Sequence, residues 1–170
     1  MDITDLILHD HHEQRRMFAL LDEAGTDPAV LGPIWDRLAI LLEVHAEAEE
    51  QLFYPRLLDV GEGAGGEDSA EAETTDAIAD HNDIRDAVAR AGRHPVGSPE
   101  WRQSVVEART ANGDHMAEEE RGPLADFRQR ADLQVRHDLG VAFASFEAAH
   151  AGGVDSRDSD PDTYVEQHSG

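Results

Sequence analysis

Apolar residues recur along this chain at steps of three and four, which is the spacing of an amphipathic α-helix. Three stretches show it at about residues 4–24, 30–58 and 70–93, and a fourth runs from Ser98 to Gly122-Pro123, where the proline must end or kink the helix. Ser98 and Pro99 fit the N-cap and first position of that fourth helix. The alternation that would predict strands is scarce. The pattern therefore predicts an all-α protein.

The segments between these helices are short enough to reverse the chain. Residues 25–28 and 94–97 combine glycine with proline, which is typical of turns, and the glycine-rich residues 59–68 suggest a flexible connector. A fifth amphipathic stretch, residues 133–149, is expected to pack across the bundle. We predict an up-down four-helix bundle with an additional C-terminal helix in residues 1–150. Residues 151–170 have almost nothing to bury and are predicted to form an acidic, disordered tail.

Histidines and glutamates interrupt the apolar stripes at repeated positions. His11 lies 34 residues before His45, and His81 lies 34 residues before His115. Each second histidine is followed four residues later by a glutamate, and the flanking residues repeat with the same period of about seventy residues, which indicates one helical hairpin written twice. The repeated residues are Glu49 and Glu119, Asp10 and Asp80, Arg15 and Arg85, and Glu50 and Glu120.

Four of the histidines and two of the glutamates continue the apolar faces of their helices, so we expect them to point into one core. Side chains four residues apart project about 40° from each other, so each HxxxE pair aims both of its groups at one place. Burying these groups without a partner would be strongly destabilising, and their convergence predicts a metal site. The remaining histidines lie near helix ends or off the apolar stripe and are expected to be solvated; they are His9, His12, His94, His137, His150 and His168.

Composition narrows the chemistry of this site. The 170 residues contain no cysteine, so the ligands must be nitrogen and oxygen atoms, a set that suits iron, manganese or zinc. The formal net charge of −23 argues against nucleic acid or an anionic membrane as a partner, since phosphate binding needs the opposite sign. Acidic residues interrupt the first twenty positions, which argues against a signal peptide and favours a cytoplasmic protein.

The number of ligands favours two metal ions, because one ion would leave several of the six groups buried without a partner. The segments LHDHHEQR, HAEAEEQLFYPRL, DHNDIRDAV and DHMAEEERGPL resemble the four helices of a hemerythrin-like (HHE cation-binding) domain, over about residues 1–130. The resemblance implies a non-haem diiron centre bridged by the two carboxylates and by an oxo or hydroxo group, with zinc or manganese as alternative metals. The ligands that it implies are His11, His45, Glu49, His81, His115 and Glu119.

The third helix departs from that of the oxygen-carrying members of the family. Those members present two histidines four residues apart, whereas the residues at that spacing from His81 are Ala77 and Arg85. The metals would then keep one more open position than in a carrier. Tyr54 is the candidate to fill it, because a proline follows it and disturbs the helix. On an ideal helix, however, Tyr54 lies about 140° from Glu49, which favours a packing or partly exposed tyrosine.

The acidic residues beside the ligands have two interpretations. They could accept hydrogen bonds from the imidazoles or replace a neighbouring carboxylate, but adjacent residues on a helix diverge by about 100°, which favours exposed charges. Arg15 and Arg85 are expected to pair with such acids at the surface. The acids concerned are Asp10, Asp80, Asp114, Glu50 and Glu120.

Three classes of function fit such a centre: a catalase-like enzyme that acts on hydrogen peroxide in oxidative stress, an O2- or NO-binding carrier or sensor, and an iron store or buffer. Two exchangeable positions let peroxide bridge both irons, and a phenolate ligand would disfavour the diferrous state that binds O2. We therefore expect peroxide chemistry. A sensor is expected to need an output domain that these residues do not contain, and a bundle of this size holds about two irons, too few for a store.

Overall fold

A computed structural model describes residues 1–64, 69–155 and 157–169, and there is no strand among them. The predicted all-α fold is confirmed. α1 packs against α2 and α4 against α5, so each half of the repeat forms one hairpin of the bundle. In chain order the elements are α1 (Ile3–Glu23), α2 (Pro28–Ala48), a π-helical turn (Glu49–Phe53), α3 (Tyr54–Val60), α4 (Ala70–Ala91), α5 (Pro99–Arg121), α6 (Pro123–Arg130), α7 (Leu133–Ala149) and α8 (Pro161–His168).

Side-chain caps set where the long helices begin. Asp2 accepts a hydrogen bond from the N–H of Thr4 at the start of α1. Ser98 accepts one from the N–H of Trp101 over 3.1 Å, so the N-cap predicted at Ser98 is confirmed. Each cap satisfies a backbone donor that has no partner within the helix. The caps thereby help to fix the register in which each helix presents its histidine.

The second long helix changes its winding just before Tyr54. In the π-helical turn Glu49–Phe53, the N–H of Tyr54 bonds to the carbonyl of Glu49, five residues earlier. Pro55 follows and has no N–H with which to continue the α-helical ladder, as the sequence indicated. The wider turn sets Tyr54 one full turn from Glu49 instead of about 140° away from it.

Two apolar cores lie at opposite ends of the bundle. In α1, α2 and α4, the residues given to one core precede the central histidine and those given to the other core follow it, whereas α5 contributes to the second core before His115. Trp35 and Trp101 meet edge to face in the second core, with ring centroids 5.7 Å apart. No helix in the described part of the chain combines the length and the apolar character that a membrane span needs. The first core includes Ile3, Ile7, Phe53, Leu57, Phe127 and Phe143, and the second includes Phe18, Leu21, Trp35, Leu38, Val88 and Trp101.

The segment predicted to be a disordered tail contains α8, so that prediction is wrong for residues 161–168. Tyr164 is buried in the first core, and α8 packs against α4. Asn82 holds the residues just before α8: its Nδ2 donates to the carbonyl of Ser159 over 2.7 Å, and the N–H of Ser159 donates to its Oδ1 over 3.2 Å. One buried aromatic ring and one side-chain clamp therefore hold a segment whose composition is otherwise polar. Residues 156 and 170 lie outside the described residues.

The glycine-rich connector is bound to the bundle where the structure describes it. Residues 59 and 60 belong to α3, and the N–H groups of Glu62 and Gly63 donate to Oδ2 of Asp126 over 2.8 and 3.1 Å. Asp126 is itself buried in α6. These contacts hold the start of the segment that was predicted to be flexible, whereas Gly65 and Gly66 lie outside the described residues.

Candidate metal centre

Six polar side chains from the four long helices meet in the middle of the bundle. Each is at most 3% exposed. The structure therefore brings together all six residues that the repeat singled out. They are His11 on α1, His45 on α2, Glu49 at the start of the π-helical turn, His81 on α4, and His115 and Glu119 on α5.

The first triad consists of His11, His45 and Glu49. One ligand-type atom from each lies within 4.8 Å of the other two. Nε2 of His45 lies 2.9 Å from Oε1 of Glu49, and the rings of His11 and His45 are 5.1 Å apart. This spacing allows one cation to be held by all three groups.

The second triad consists of Glu49, His81 and His115, and one nitrogen or oxygen atom from each again lies within 4.8 Å of the other two. Nε2 of His81 lies 3.1 Å from Nε2 of His115 and 3.3 Å from Oε2 of Glu49. Glu49 thus belongs to both triads, with Oε1 facing the first and Oε2 facing the second. A carboxylate placed in this way can bridge two neighbouring cations.

Glu119 reaches the first triad with one carboxylate oxygen and Tyr54 with the other. Its Oε2 lies 3.2 Å from Nε2 of His11, and its Oε1 accepts a hydrogen bond from the hydroxyl of Tyr54 over 2.7 Å. The ring of Tyr54 is 5.9 Å from that of His81, so the phenol lies beside the second triad. Tyr54 is fully buried and packs against Phe53 in the first core, as ideal helix geometry favoured, but the π-helical turn also brings its hydroxyl to Glu119.

Several central atoms face only one another and make no well-aligned hydrogen bond among the described residues: Nε2 of His11 lies 3.2 Å from Oε2 of Glu119, and Nε2 of His45 lies 2.9 Å from Oε1 of Glu49. Buried polar groups without well-formed hydrogen bonds are few in native proteins. Imidazole nitrogens and carboxylate oxygens are also the atoms that bind divalent transition metals. The donor set therefore fits a cation-binding centre.

Each of the four imidazoles turns its other nitrogen, Nδ1, towards a carboxylate, which favours the tautomer that leaves Nε2 free to bind a metal. The prediction that the flanking acids are exposed charges is therefore wrong for four of them, while Asp114 is exposed as predicted. Each acid contacts a histidine on a different helix. The angle of about 100° between adjacent residues of one helix therefore does not keep an acid away from its imidazole. The pairs are His11 with Glu120 at 3.0 Å, His45 with Asp10 at 3.1 Å, His81 with Glu50 at 2.9 Å and His115 with Asp80 at 3.4 Å.

These contacts repeat as the sequence does, so the centre has an approximate two-fold symmetry. The aspartates bind the histidine of their own hairpin, whereas the glutamates cross to the other hairpin. Two arginines extend the pattern: Arg15 donates to Glu120 over 2.8 Å and Arg85 to Glu50 over 2.7 Å. The predicted pairing is confirmed, but Arg85 is buried and does not lie at the surface.

The two halves of the centre differ in two ways: the acids of one half are more exposed than those of the other, and only one half contains a tyrosine. The side chains of Asp10 and Glu50 are 11% and 7% exposed, whereas those of Asp80 and Glu120 are 34% and 29% exposed. α7 packs on α1 and α8 on α4, which covers the first pair. Tyr54 has no counterpart in the second hairpin, where the equivalent residue is a leucine.

The buried charges shift the proton affinities of the central groups. Burial lowers the pKa of His81, but the hydrogen bonds and charges of Glu49 and Glu50 outweigh it and raise that pKa to about 9. Burial likewise opposes protonation of His45, yet Glu49 and a neighbouring aspartate hold its pKa well above the ordinary value. Burial, together with the charge of a nearby glutamate, raises the pKa of Tyr54 well above 10. A cation must therefore displace protons from the centre when it binds.

Two residues at the edge of the centre escaped the sequence interpretation. Glu147 of α7 hydrogen-bonds to Asp10, and burial together with that bond raises the pKa of Glu147 to about 8. The hydroxyl of Tyr164 donates to the backbone carbonyl of Glu50. Both residues lie in helices outside the repeat, so its period could not identify them. One sequence feature could have pointed to Glu147: it lies one helical turn after Phe143, on the apolar face of α7. The ring of Phe143 lies 6.0 Å from that of His45.

The other histidines lie away from the centre, as predicted. His9, His12, His94 and His137 are exposed, and His150 and His168 are half-buried. The last two lie near a carbonyl four residues earlier in their own helices, with Nδ1 of each 2.8 Å from the oxygen.

Comparisons with known proteins agree with this arrangement. A family model described as the hemerythrin HHE cation binding domain matches residues 2–124. A DNA nickase from Nostoc sp. is 26% identical over 144 residues, which is 84% of this chain but 38% of that protein, so the chain spans well under half of that relative. The crystal structure of a hemerythrin HHE cation binding domain-containing protein from Mycobacterium kansasii has the same fold, with a TM-score of 0.70 at 18% identity and 98% coverage of both chains.

Proposed function

Because the chain belongs to the hemerythrin HHE cation-binding domain family, we propose that its centre holds two iron ions and that the loaded protein disproportionates hydrogen peroxide. The observation that carries the proposal is the pair of triads that share Glu49, whose buried nitrogen and oxygen atoms face one another across 2.9–3.3 Å. Two cation positions side by side can share the two electrons that pass to or from one peroxide molecule.

The residues divide between the two ions as the triads do. His11 and His45 would hold one ion, and His81 and His115 the other. Glu49 and Glu119 would be shared. Tyr54 would complete the second ion, since its hydroxyl already lies beside that triad and contacts Glu119. This ligand set contains the four histidines and two glutamates implied by the family resemblance, together with the tyrosine.

The reaction converts two molecules of hydrogen peroxide into two of water and one of O2, so one peroxide loses two electrons and the other gains them. When bound, the ions would act as Lewis acids and store these electrons between the two half-reactions. The protein holds the imidazoles through carboxylates on Nδ1, which fixes their orientation while protons and ligands exchange. The apolar cores on both sides limit the access of bulk water.

The third long helix favours peroxide chemistry over reversible O2 carriage. Ala77 stands one turn before His81, where the oxygen carriers present a second imidazole. A carrier needs a crowded centre with one exchangeable position, whereas this chain lacks that imidazole. A phenolate from Tyr54 would in addition stabilise iron(III) and disfavour the diferrous state that binds O2. Both features support turnover of peroxide by this centre.

The direct test is the evolution of O2 from hydrogen peroxide by the iron-loaded protein. We expect turnover in the wild type and its loss in His81→Ala, which removes a residue common to the second triad and the carboxylate network. His94→Ala, which removes an exposed histidine in a turn, is the matched control and should leave turnover unchanged. Full activity in His81→Ala, or no O2 from a wild type with two irons bound, would refute peroxide disproportionation.

A further inference from the structure

The two-fold symmetric centre is closed on one side and more open on the other. α7 and α8 cover the side of Asp10 and Glu50, where Phe143 packs against His45 and Tyr164 bonds to the backbone of Glu50. The corresponding acids on the other side are three to four times more exposed. A molecule that approaches the centre therefore meets less covering protein on the side of Asp80.

A cavity of about 330 Å³ lies on that open side, between α4 and α5. We call it the α4–α5 cavity. Its walls include Ala77 and Asp80 of α4, and it extends to His115 and Glu119 of the centre. The side chain of Glu119 is 1% exposed, with Oε1 accepting from the hydroxyl of Tyr54 and Oε2 lying 3.2 Å from Nε2 of His11. The cavity thus joins the surface to a buried imidazole and a buried carboxylate of the centre.

Ala77 explains why space exists beside the second triad. It is buried, lies one turn before His81 and lines the cavity. A side chain the size of imidazole at this position would occupy part of the volume that the alanine methyl leaves open. The same substitution that removes a ligand relative to the oxygen carriers therefore also leaves room next to the centre.

The charge of the walls selects what can pass. Besides the buried Glu119, four carboxylates line the cavity, from Glu73, Asp76, Asp80 and Glu118, against the guanidinium of Arg121. Asp76 and Glu118 are exposed, so their charges act on approaching ions. Clefts lined by one sign of charge raise the local concentration of counter-ions and speed their association. This cavity therefore attracts divalent cations, admits neutral molecules and repels anions.

We infer that the α4–α5 cavity is the route by which divalent cations reach the buried centre. The inference rests on the proposed function in so far as the centre binds cations, and it does not depend on the reaction with peroxide. The acid-lined walls concentrate the ion, and Asp80 stands beside His115 where the route meets the second triad. The second triad is accordingly the one that a cation reaches first.

The test measures the rate at which the metal-free full-length chain takes up Co²⁺, followed by the visible absorption of the bound ion in stopped flow. Asp76→Asn combined with Glu118→Gln removes two exposed charges from the cavity without touching a triad. We expect uptake at low ionic strength to slow about tenfold, and its dependence on salt to weaken. The matched control, Asp86→Asn combined with Glu100→Gln, removes two exposed charges from the same helices outside the cavity walls and should take up Co²⁺ at the wild-type rate.

A second variant tests the path itself. Ala77→Leu narrows the cavity without changing its charge, so we expect uptake of Co²⁺ and its release to excess chelator to slow by similar factors, which leaves the affinity nearly unchanged. Equal uptake rates in the wild type, the cavity double variant and Ala77→Leu would overturn this route. Failure of the wild type to bind Co²⁺ would refute both the route and the metal centre. Normal uptake without O2 evolution from the iron form would refute only the peroxide reaction.

Discussion

The hydroxyl of Tyr164 donates a hydrogen bond to the backbone carbonyl of Glu50, inside the π-helical turn. In an α-helix that carbonyl would accept from the N–H of Tyr54, but here the N–H bonds to Glu49. In a continued π-helix it would accept from residue 55, which is a proline without an N–H. Tyr164 thus satisfies a carbonyl that the irregular winding leaves over, and α8 is tied to the turn that presents Tyr54.

Tyr164→Phe removes this hydroxyl and keeps the ring. Because a buried backbone acceptor then loses its partner, we expect the metal-free protein to lose about 1–3 kcal/mol of unfolding free energy. Urea unfolding measures the change. Ser104→Ala is the control, since its hydroxyl bonds to the carbonyl of Glu100 within a regular helix, and its loss should cost less. Equal losses in the two variants would show that Tyr164 does not support the turn.

The contact between Glu147 and Asp10 predicts a dependence of stability on pH. Burial and Asp10 raise the pKa of Glu147 from 4.5 to about 8, so the folded protein holds this proton more tightly than the unfolded chain does. The resulting stabilisation is complete below about pH 4.5 and is lost as the pH rises through about 8. Glu147→Gln mimics the protonated acid at every pH. We expect the variant to keep more of its unfolding free energy than the wild type between pH 5 and about 8.5.

Urea titrations of metal-free protein across this pH range provide the measurement. Asp138→Asn is the control, because Asp138 lies on the same helix and is exposed. The raised pKa of His81 affects wild type and variant alike, so the difference between them reports on Glu147 together with Asp10, to which it hydrogen-bonds. If the unfolding free energies of the wild type and Glu147→Gln change in parallel with pH, the pKa of Glu147 is not raised in the folded protein.

Cation binding should release protons. His81, with a pKa of about 9, carries a proton at neutral pH when the centre is metal-free, and His45 does so as well. Metal ligands must be deprotonated, so binding should weaken as the pH falls below about 9. If Tyr54 binds as a phenolate, it releases a further proton, because its pKa is raised well above 10. Tyr54→Phe should then release one fewer proton than the wild type.

Isothermal titration with Zn²⁺ or Co²⁺ in buffers of different ionisation enthalpy counts these protons. His94→Ala, which removes an exposed histidine in a turn away from the centre, is the control and should release as many protons as the wild type. The same count in Tyr54→Phe and the wild type would remove Tyr54 from the set of ligands.

Ala77→His would return an imidazole to the position one turn before His81. We expect it to occupy an exchangeable position and lower O2 evolution from peroxide by about tenfold, which corresponds to about 1.4 kcal/mol of activation free energy. Ala77→Leu fills the same space without a ligand atom and separates the steric effect from coordination. If the two variants lose activity equally and have the same visible spectrum, the added imidazole does not bind the metal.

The sequence predicts those features that depend on the period of the helix. His11, His45, His81 and His115 lie on apolar faces, and each HxxxE pair aims at one point, so their convergence follows from spacing alone. The cap at Ser98 is also predictable, because an N-cap depends only on the residues at the start of the helix.

The features that sequence reasoning missed depend on irregular winding or on packing between helices. Tyr54 points inward because a π-helical turn precedes it, and periodicity based on the α-helix gives the wrong angle. Glu50 and Asp10 contact histidines of neighbouring helices and are buried because α7 and α8 cover them. Tyr164 holds α8 in place although its flanking residues are polar, because one buried ring and the clamp from Asn82 outweigh the composition. Such contacts are not encoded in any single periodic pattern.

The central claim is that two iron ions occupy a centre to which Tyr54 contributes a phenolate. The most direct measurement is the metal content of the purified protein together with its visible absorption spectrum, in the wild type and in Tyr54→Phe. We expect two irons per chain in both, and a tyrosinate-to-iron(III) absorption band in the wild type that Tyr54→Phe lacks. A single zinc per chain, or an iron form whose visible spectrum is the same in both proteins, would contradict the claim.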